Sequence, residues 1–250
     1  MNKVRTVIMA GGQGSRLRPF TAVFPKPLMP IGDVPILDIV IRQLRHFGCT
    51  DIIVTVGYLA ELILTYLGDG GRYGIKLSFM HERESLGTIG PLSMVPISGA
   101  DSFLVLNGDV LSSIDYEALV RHHRSTCAVA TIASYRLPVT IDKGVLILAE
   151  DGRINGYVEK PTYYNPVAMG ICVFSPEVLQ YLTPGARLDV PELIQRLLAD
   201  KRLVQSYMFD GYWMDIGQHS DYKKAFEEFT THRACLLHES LTTPNIENLL

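Results

Sequence analysis

Two loops in this sequence gather residues suited to holding phosphate groups. The first is Gly11-Gly12-Gln13-Gly14-Ser15-Arg16-Leu17-Arg18-Pro19, followed by Pro25-Lys26-Pro27. Closely spaced glycines let backbone N–H groups approach phosphate oxygens without side-chain interference. Arg16 adds a planar guanidinium with several donors, and Lys26 a compact positive charge. A triphosphate needs this mixture of close backbone and cations. The competing reading is that the glycines only make a tight turn; Arg16 and Lys26 in the same loop weigh against it. No Gly-Lys-Ser/Thr closes the loop, and the full GxGxxG spacing is missing, which disfavours a kinase or a dehydrogenase.

The second loop is Asn107-Gly108-Asp109, after an apolar run. A carboxylate there is well placed to hold magnesium beside phosphates, because magnesium takes one or two protein carboxylates and fills its shell with water and phosphate. A turn or helix-capping role for Asp109 is an equal alternative. Asp215 lies among apolar residues next to the only tryptophan, in Gly211-Tyr212-Trp213-Met214-Asp215-Ile216-Gly217. A carboxylate in such company is costly unless paired or metal-bound. It could complete a metal site with Asp109, or cap a helix over 218–229. Glu159-Lys160-Pro161 offers a cation for a sugar phosphate and an acceptor for sugar hydroxyls; read alone, it is a surface ion pair. No HExxH pattern and no Gly-x-Ser-x-Gly elbow occurs. His232, Cys235 and His238 have only a loose metal-like spacing, and no metal is expected there. His122 and His123 are expected to be solvated.

The elements that must position these residues alternate. Strands are predicted over 4–10, 52–56, 75–80 and 103–106, and helices over 36–47 and 59–67. Near-continuous apolar strands separated by helices predict an α/β fold: a Rossmann-like, mostly parallel sheet flanked by helices on both faces. In such a sheet, ligands bind beyond the carboxyl ends of the strands, where both loops fall. The second half reads as a helix over 115–124, then strands over 127–135, 144–149, 154–158 and 169–174. Asp151-Gly152 signals a hairpin, so antiparallel strands are expected to extend the sheet into a second lobe. Asp189-Val190-Pro191-Glu192 fits a helix start, with Asp189 as cap and Glu192 reaching back. Residues 220–229 look helical, and the pattern degrades after Thr230. A catalytic domain over 1–229 and a tail over 230–250 are therefore expected.

Size and charge narrow the classes. The 250 residues suit one large domain or a domain with an appendage. A net charge of −3 with no long basic run argues against a nucleic-acid partner. The four cysteines are far apart and form no CxxC, which fits reduced thiols and a cytoplasmic protein. The N-terminal apolar run reads as a buried strand, not a signal peptide, and no membrane association is expected.

Taken together, the segments resemble the sugar-1-phosphate nucleotidyltransferase family. They are GGQGSRLRPFT with PKPLMPIGDVPIL, then ESLGTIGPL, LVLNGDVL, YVEKP, MGICVFSP and GYWMDIGQHSDY, in family order across nearly all of residues 6–226. The resemblance implies that Gly11, Gly12, Gly14, Arg16 and Lys26 hold the triphosphate, and that Asp109 and Asp215 bind Mg2+. It implies Gly87 and Thr88 in the base pocket, Glu159 and Lys160 on the sugar phosphate, and Gly144 and Gly170 against the sugar or its phosphate. The expected reaction joins a nucleoside triphosphate to a sugar 1-phosphate and releases pyrophosphate. The segment from Glu82 to Leu92 looks most like the mannose-1-phosphate guanylyltransferase branch, in a short form without the C-terminal β-helix of longer members. Glu82 could accept the N–H donors of guanine, or simply be exposed. Where many members carry Asn-x-Gly-Ile-Tyr, this chain has Ala168-Met169-Gly170-Ile171-Cys172, and Lys143 stands where an aromatic is common. A homo-oligomer is left open. The rival readings are a catalytically silent sugar-nucleotide sensor and a glycosyltransferase that consumes nucleotide-sugars. The second would be expected to show Asp-x-Asp, where this chain has Asn107-Gly108-Asp109-Val110-Leu111.

Overall fold

A computed structural model describes residues 1, 3–96 and 99–238. In chain order the elements are β1 (Val4–Ala10), β2 (Pro30–Ile31), β3 (Val34–Pro35), α1 (Ile36–His46), β4 (Asp51–Val56), α2 (Ala60–Leu67), β5 (Lys76–His81), β6 (Ser102–Asn107) and β7 (Val110–Ser112). There follow α3 (Tyr116–Thr126), β8 (Ala130–Thr140), β9 (Val145–Leu148), β10 (Ile154–Val158), β11 (Thr162–Phe174), α4 (Val190–Ala199), β12 (Val204–Phe209), β13 (Trp213–Asp215) and α5 (His219–Leu237).

Seven strands form one sheet in the order β12-β8-β11-β6-β1-β4-β5. β5, β4, β1 and β6 run parallel, as does β12 against β8; β11 is antiparallel to both neighbours. This is the expected mixed, mostly parallel α/β sheet. Side chains alternate across it. On one face Ile8, Ile52 and Val54 pack with α1, α2 and α3 through Leu37, Val40, Ile63, Leu119 and Val120. On the other, Val7, Phe103 and Val105 pack with Leu193 and Leu197 of α4. The central strands are buried on both faces, which is why they read as continuous apolar runs.

α1 serves two cores. Leu37, Val40, Ile41 and Leu44 face the sheet. Ile36 and Ile39 face a third cluster with Leu17, Ile31, Met214, Phe229, Leu236 and Leu237. That cluster carries the last helix past the point where the sequence pattern degrades. α5 runs unbroken through Thr230 to Leu237, because Leu236 and Leu237 are buried and anchor its last turns. The remaining expected tail, 239–250, lies outside the described residues.

The second lobe differs in length from expectation. β8 and β11 are longer than predicted and pair from Thr140↔Thr162 to Ala130↔Phe174. Their outer halves run past the sheet as a two-stranded ribbon, solvated enough to lack a clear apolar pattern. β9 and β10 form the hairpin predicted at Asp151-Gly152. His123 is a second correction: it is 3% exposed, with Nδ1 2.9 Å from the Thr131 hydroxyl and Nε2 3.1 Å from that of Ser175.

Candidate active site

β1 and β6 lie side by side with Met9 opposite Asn107, so the loops after them emerge together at the sheet's carboxyl edge. The Gly108 N–H donates to Met9 O at 2.9 Å and ties the second loop to the first. Between these loops and the 82–88 segment lies a cleft of about 320 Å3. Gly11, Gly12, Gly14, Arg16 and Lys26 line one side, with Asp109 beside them; Glu82, Gly87 and Thr88 line the other. Nine of the expected residues therefore meet in one place.

The first loop is built for close approach. Gly14 is left-handed at φ +59°, and the Thr21 hydroxyl donates to its carbonyl at 2.8 Å. Lys26 opens a short 3-10 turn and is 7% exposed. Its ammonium forms an ion pair with Asp109 Oδ2. Asp109 Oδ1 is buried and has no hydrogen-bond partner among the described residues.

Asp215 reaches the same place by another route. β13 pairs antiparallel with β7, Asp215 lies opposite Val110, and the Ile216 N–H donates to Asp109 O at 3.3 Å. Asp215 stays exposed by surface area, yet desolvation by the protein beside it, and then the charge of Asp109, push its carboxyl up; Lys26 and Arg16 pull the other way. The Arg16 guanidinium lies beside the same turn, 3.6 Å from where a β-carbon on Gly217 would sit. Asp215 is not the cap of α5. Gln218 holds that place, in a capping box with Asp221. Two adjacent carboxylates, one with an orphaned buried oxygen, suit a hard divalent cation with oxygen ligands. Among the described residues no group of three or more His, Cys, Asp or Glu forms a metal cluster, and His238 instead stacks on His46.

Glu82 is buried, not exposed. It follows β5 and accepts the Leu86 N–H at Oε2, 3.2 Å. Thr88 corrects the expected start of α4. The Asp189 side chain does not cap that helix. It accepts the Thr88 N–H at 2.9 Å, while the Thr88 hydroxyl accepts the Val190 N–H at 2.8 Å. The cap thus comes from a segment distant in sequence, and Glu192 pairs with Arg196 instead of reaching back.

The expected sugar-phosphate residues divide. Gly170 sits in an irregularity of β11 at φ +75°, and a β-carbon there would lie 2.8 Å from Asn107 Nδ2, at the cleft wall. Gly144, Glu159 and Lys160 do not line the cleft. They sit at the base of the β9–β10 hairpin. The Tyr157 hydroxyl donates to Glu159 at 2.8 Å and occupies the space a Gly144 side chain would need. Lys160 pairs with Asp142 at 3.3 Å in solvent. The cleft also holds residues that sequence reasoning missed. Asn107 stands at the head of the Asn107-Gly108-Asp109 loop. Arg187, paired with Asp189 at 3.0 Å, carried no local signal because it reaches the cleft only through the loop before α4.

The nucleotidyl transferase family profile matches residues 5–232. The chain belongs to this nucleotidyl transferase family. Among its relatives is the mannose-1-phosphate guanylyltransferase catalytic subunit beta of Drosophila pseudoobscura pseudoobscura, 34% identical over 232 residues, covering 88% of this chain and 61% of the relative. A UTP--glucose-1-phosphate uridylyltransferase of Synechocystis sp. is 32% identical over 241 residues, covering 89% of this chain and 62% of that one. The chain thus spans about three-fifths of the length of these nucleotidyl transferases. A crystal structure of HddC from Yersinia pseudotuberculosis complexed with GMP-PN superposes with a TM-score of 0.68 at 25% identity, over 90% of this chain and 99% of that one.

Proposed function

We propose that this nucleotidyl transferase joins a nucleoside triphosphate to a sugar 1-phosphate, giving a nucleotide-diphosphate sugar and pyrophosphate. The observation that carries this reading is the cleft at the ends of β1 and β6, where a glycine loop, Arg16 and Lys26 surround a carboxylate with a buried, unpartnered oxygen.

Asp109 and Asp215 would hold Mg2+, which when bound offsets negative charge on the phosphates. The chain's own residues do the rest. Backbone N–H groups of the glycine loop and the two cations position the triphosphate. A sugar phosphate is already an anion near pH 7, so its oxygen needs no strong general base. That oxygen attacks the α-phosphorus in line, and the bond to the leaving pyrophosphate breaks as the new one forms. Arg16 and Lys26 stabilise the charge that builds on the transferred and leaving groups. Catalysis then rests on positioning and electrostatics.

For the base we propose guanine. Glu82 is buried in the cleft, and a carboxylate is a matching acceptor for the adjacent N–H donors of guanine's edge. A manno-configured sugar 1-phosphate is proposed with it, supported by the name of the guanylyltransferase relative, while the uridylyltransferase relative is named for glucose 1-phosphate. Gly87 and Thr88 would line the base pocket, and Gly170 the sugar. Gly144, Glu159 and Lys160 would meet the sugar phosphate from the second lobe, Lys160 exchanging Asp142 for the phosphate. A cytoplasmic setting belongs to the same proposal; among the described residues no helix is long and apolar enough to cross a membrane.

The test is pyrophosphate release with magnesium, each nucleoside triphosphate paired with a panel of sugar 1-phosphates. Release with GTP and mannose 1-phosphate supports the full reading. Release with another pair keeps the chemistry and overturns the substrate assignment. Binding of a nucleotide-sugar without any turnover would favour a sensor.

A further inference from the structure

A second, larger cavity of about 590 Å3 shares no lining residue with the catalytic cleft. It lies between the last turns of α1, the end of α2, the 71–73 turn and the end of α5. Its polar wall is Arg42, Arg45, Arg72, His46 and His238, with Asp38 the one carboxylate among the lining residues.

Asp38 is 4% exposed and heavily committed. Arg42 bonds its Oδ1, while the Tyr66 and Tyr73 hydroxyls donate to Oδ2 at 2.9 and 3.1 Å. Both phenols keep their protons, because burial and the Asp38 charge push them up. One carboxylate therefore stands against three guanidinium groups. Arg72 is fixed in place, 4.2 Å over the Tyr66 ring and 4.6 Å over that of Tyr73. The Arg45 side chain has no hydrogen bond or ion pair among the described residues; its guanidinium lies against Gly74. His46 and His238 stack face to face, with ring centroids 3.7 Å apart. Holding like charges together in a concavity costs free energy that a bound anion would offset. Guanidinium forks on a rigid frame suit phosphate oxygens, which they can meet with paired hydrogen bonds.

We propose that this cavity is a second binding site, for a small anion carrying phosphate groups. The three arginines contact its oxygens, and the paired imidazoles form one rim. Inorganic phosphate, pyrophosphate and a nucleotide phosphate share that chemistry.

The test follows the His46 and His238 C2 protons by NMR in the full chain, without magnesium, as sodium pyrophosphate is added at fixed ionic strength. The expected result is a saturating shift of both. Arg45→Gln should raise the half-saturating concentration about tenfold, equivalent to about 1.4 kcal/mol, and leave the thermal midpoint in place, since the Arg45 side chain has no partner to lose. Lys26→Ala, in the catalytic cleft, should leave the curve unchanged. Repeating the titration with inorganic phosphate and with GTP identifies which source of phosphate binds best. A drift without saturation, the same in the wild type and Arg45→Gln, would overturn the proposal. So would a response lost on Lys26→Ala but kept in Arg45→Gln.

Discussion

The Glu82 carboxylate lies against the α-carbon of Gly11: a β-carbon there would come within 2.4 Å of Oε1. The first residue of the glycine loop and the proposed base-reading carboxylate are thus packed as one unit. Gly11→Ala would displace the end of Glu82 with little effect on folding, because the obstructing atom is the tip of a flexible chain. The expected outcome is a loss of preference for GTP while pyrophosphate release continues with other triphosphates. Glu82→Gln should act in the same direction, by about tenfold or more. Nucleotide profiles of both variants check this; unchanged profiles would mean that the base is read elsewhere.

Asp109 and Asp215 should each be needed for turnover. By analogy with removal of one preorganised donor, Ala at either position is expected to lower kcat by about 10²–10³-fold, or 3–4 kcal/mol. Asp109→Ala also leaves Lys26 buried without its ion-pair partner. Asp109→Asn keeps an acceptor for Lys26 and separates the two effects. Near-normal, magnesium-dependent activity in a folded Asp109→Asn or Asp215→Ala protein would remove that residue from the site.

Lys160 has a different expected signature. It pairs with Asp142 in solvent, away from the glycine loop, so Lys160→Ala should leave folding intact. KM for the sugar 1-phosphate should rise while nucleotide binding stays constant. An equal loss of both would remove the proposed role.

His123 makes stability depend on pH. Burial, and then the neighbouring Arg124 and His122 charges, push its imidazole down to about 4 from an ordinary 6.5. The unfolded chain therefore binds a proton that the folded protein refuses. The resulting stability is full above about pH 6.5 and is lost as pH falls towards 4, by about 3 kcal/mol in all. Urea midpoints between pH 7 and 4 should fall across that window, and His123→Gln should flatten the fall. Parallel curves would exclude His123 as its source.

The Thr88 hydroxyl supplies the cap of α4 from outside the helix. Thr88→Val keeps the shape and removes the acceptor. A stability loss of about 1 kcal/mol is expected, measurable as a lower urea midpoint; an unchanged midpoint would show that the Val190 N–H finds another acceptor.

Local patterns in the chain determined the sheet and the two loops. β1, β4 and β6 are buried on both faces and must be apolar throughout, and helices α1 to α3 carry apolar stripes at helical spacing. The glycine loop and Asp109 are legible for the same reason: each follows a strand, and strand ends fix where loops emerge. Tertiary structure decided what depends on contacts between distant segments. Asp215 joins Asp109 only because β13 pairs with β7. Glu82 and His123 are polar residues whose burial comes from neighbours that local periodicity does not reveal. Asp189 looked like a cap, but Thr88 takes that place because the 82–88 segment packs on α4. The arginines at 42, 45 and 72 stand in no local motif, and only the convergence of α1, α2, the 71–73 turn and α5 brings them to one cavity. A side chain's local preference is written in its own stretch of chain; its partners are set by the packing of the whole.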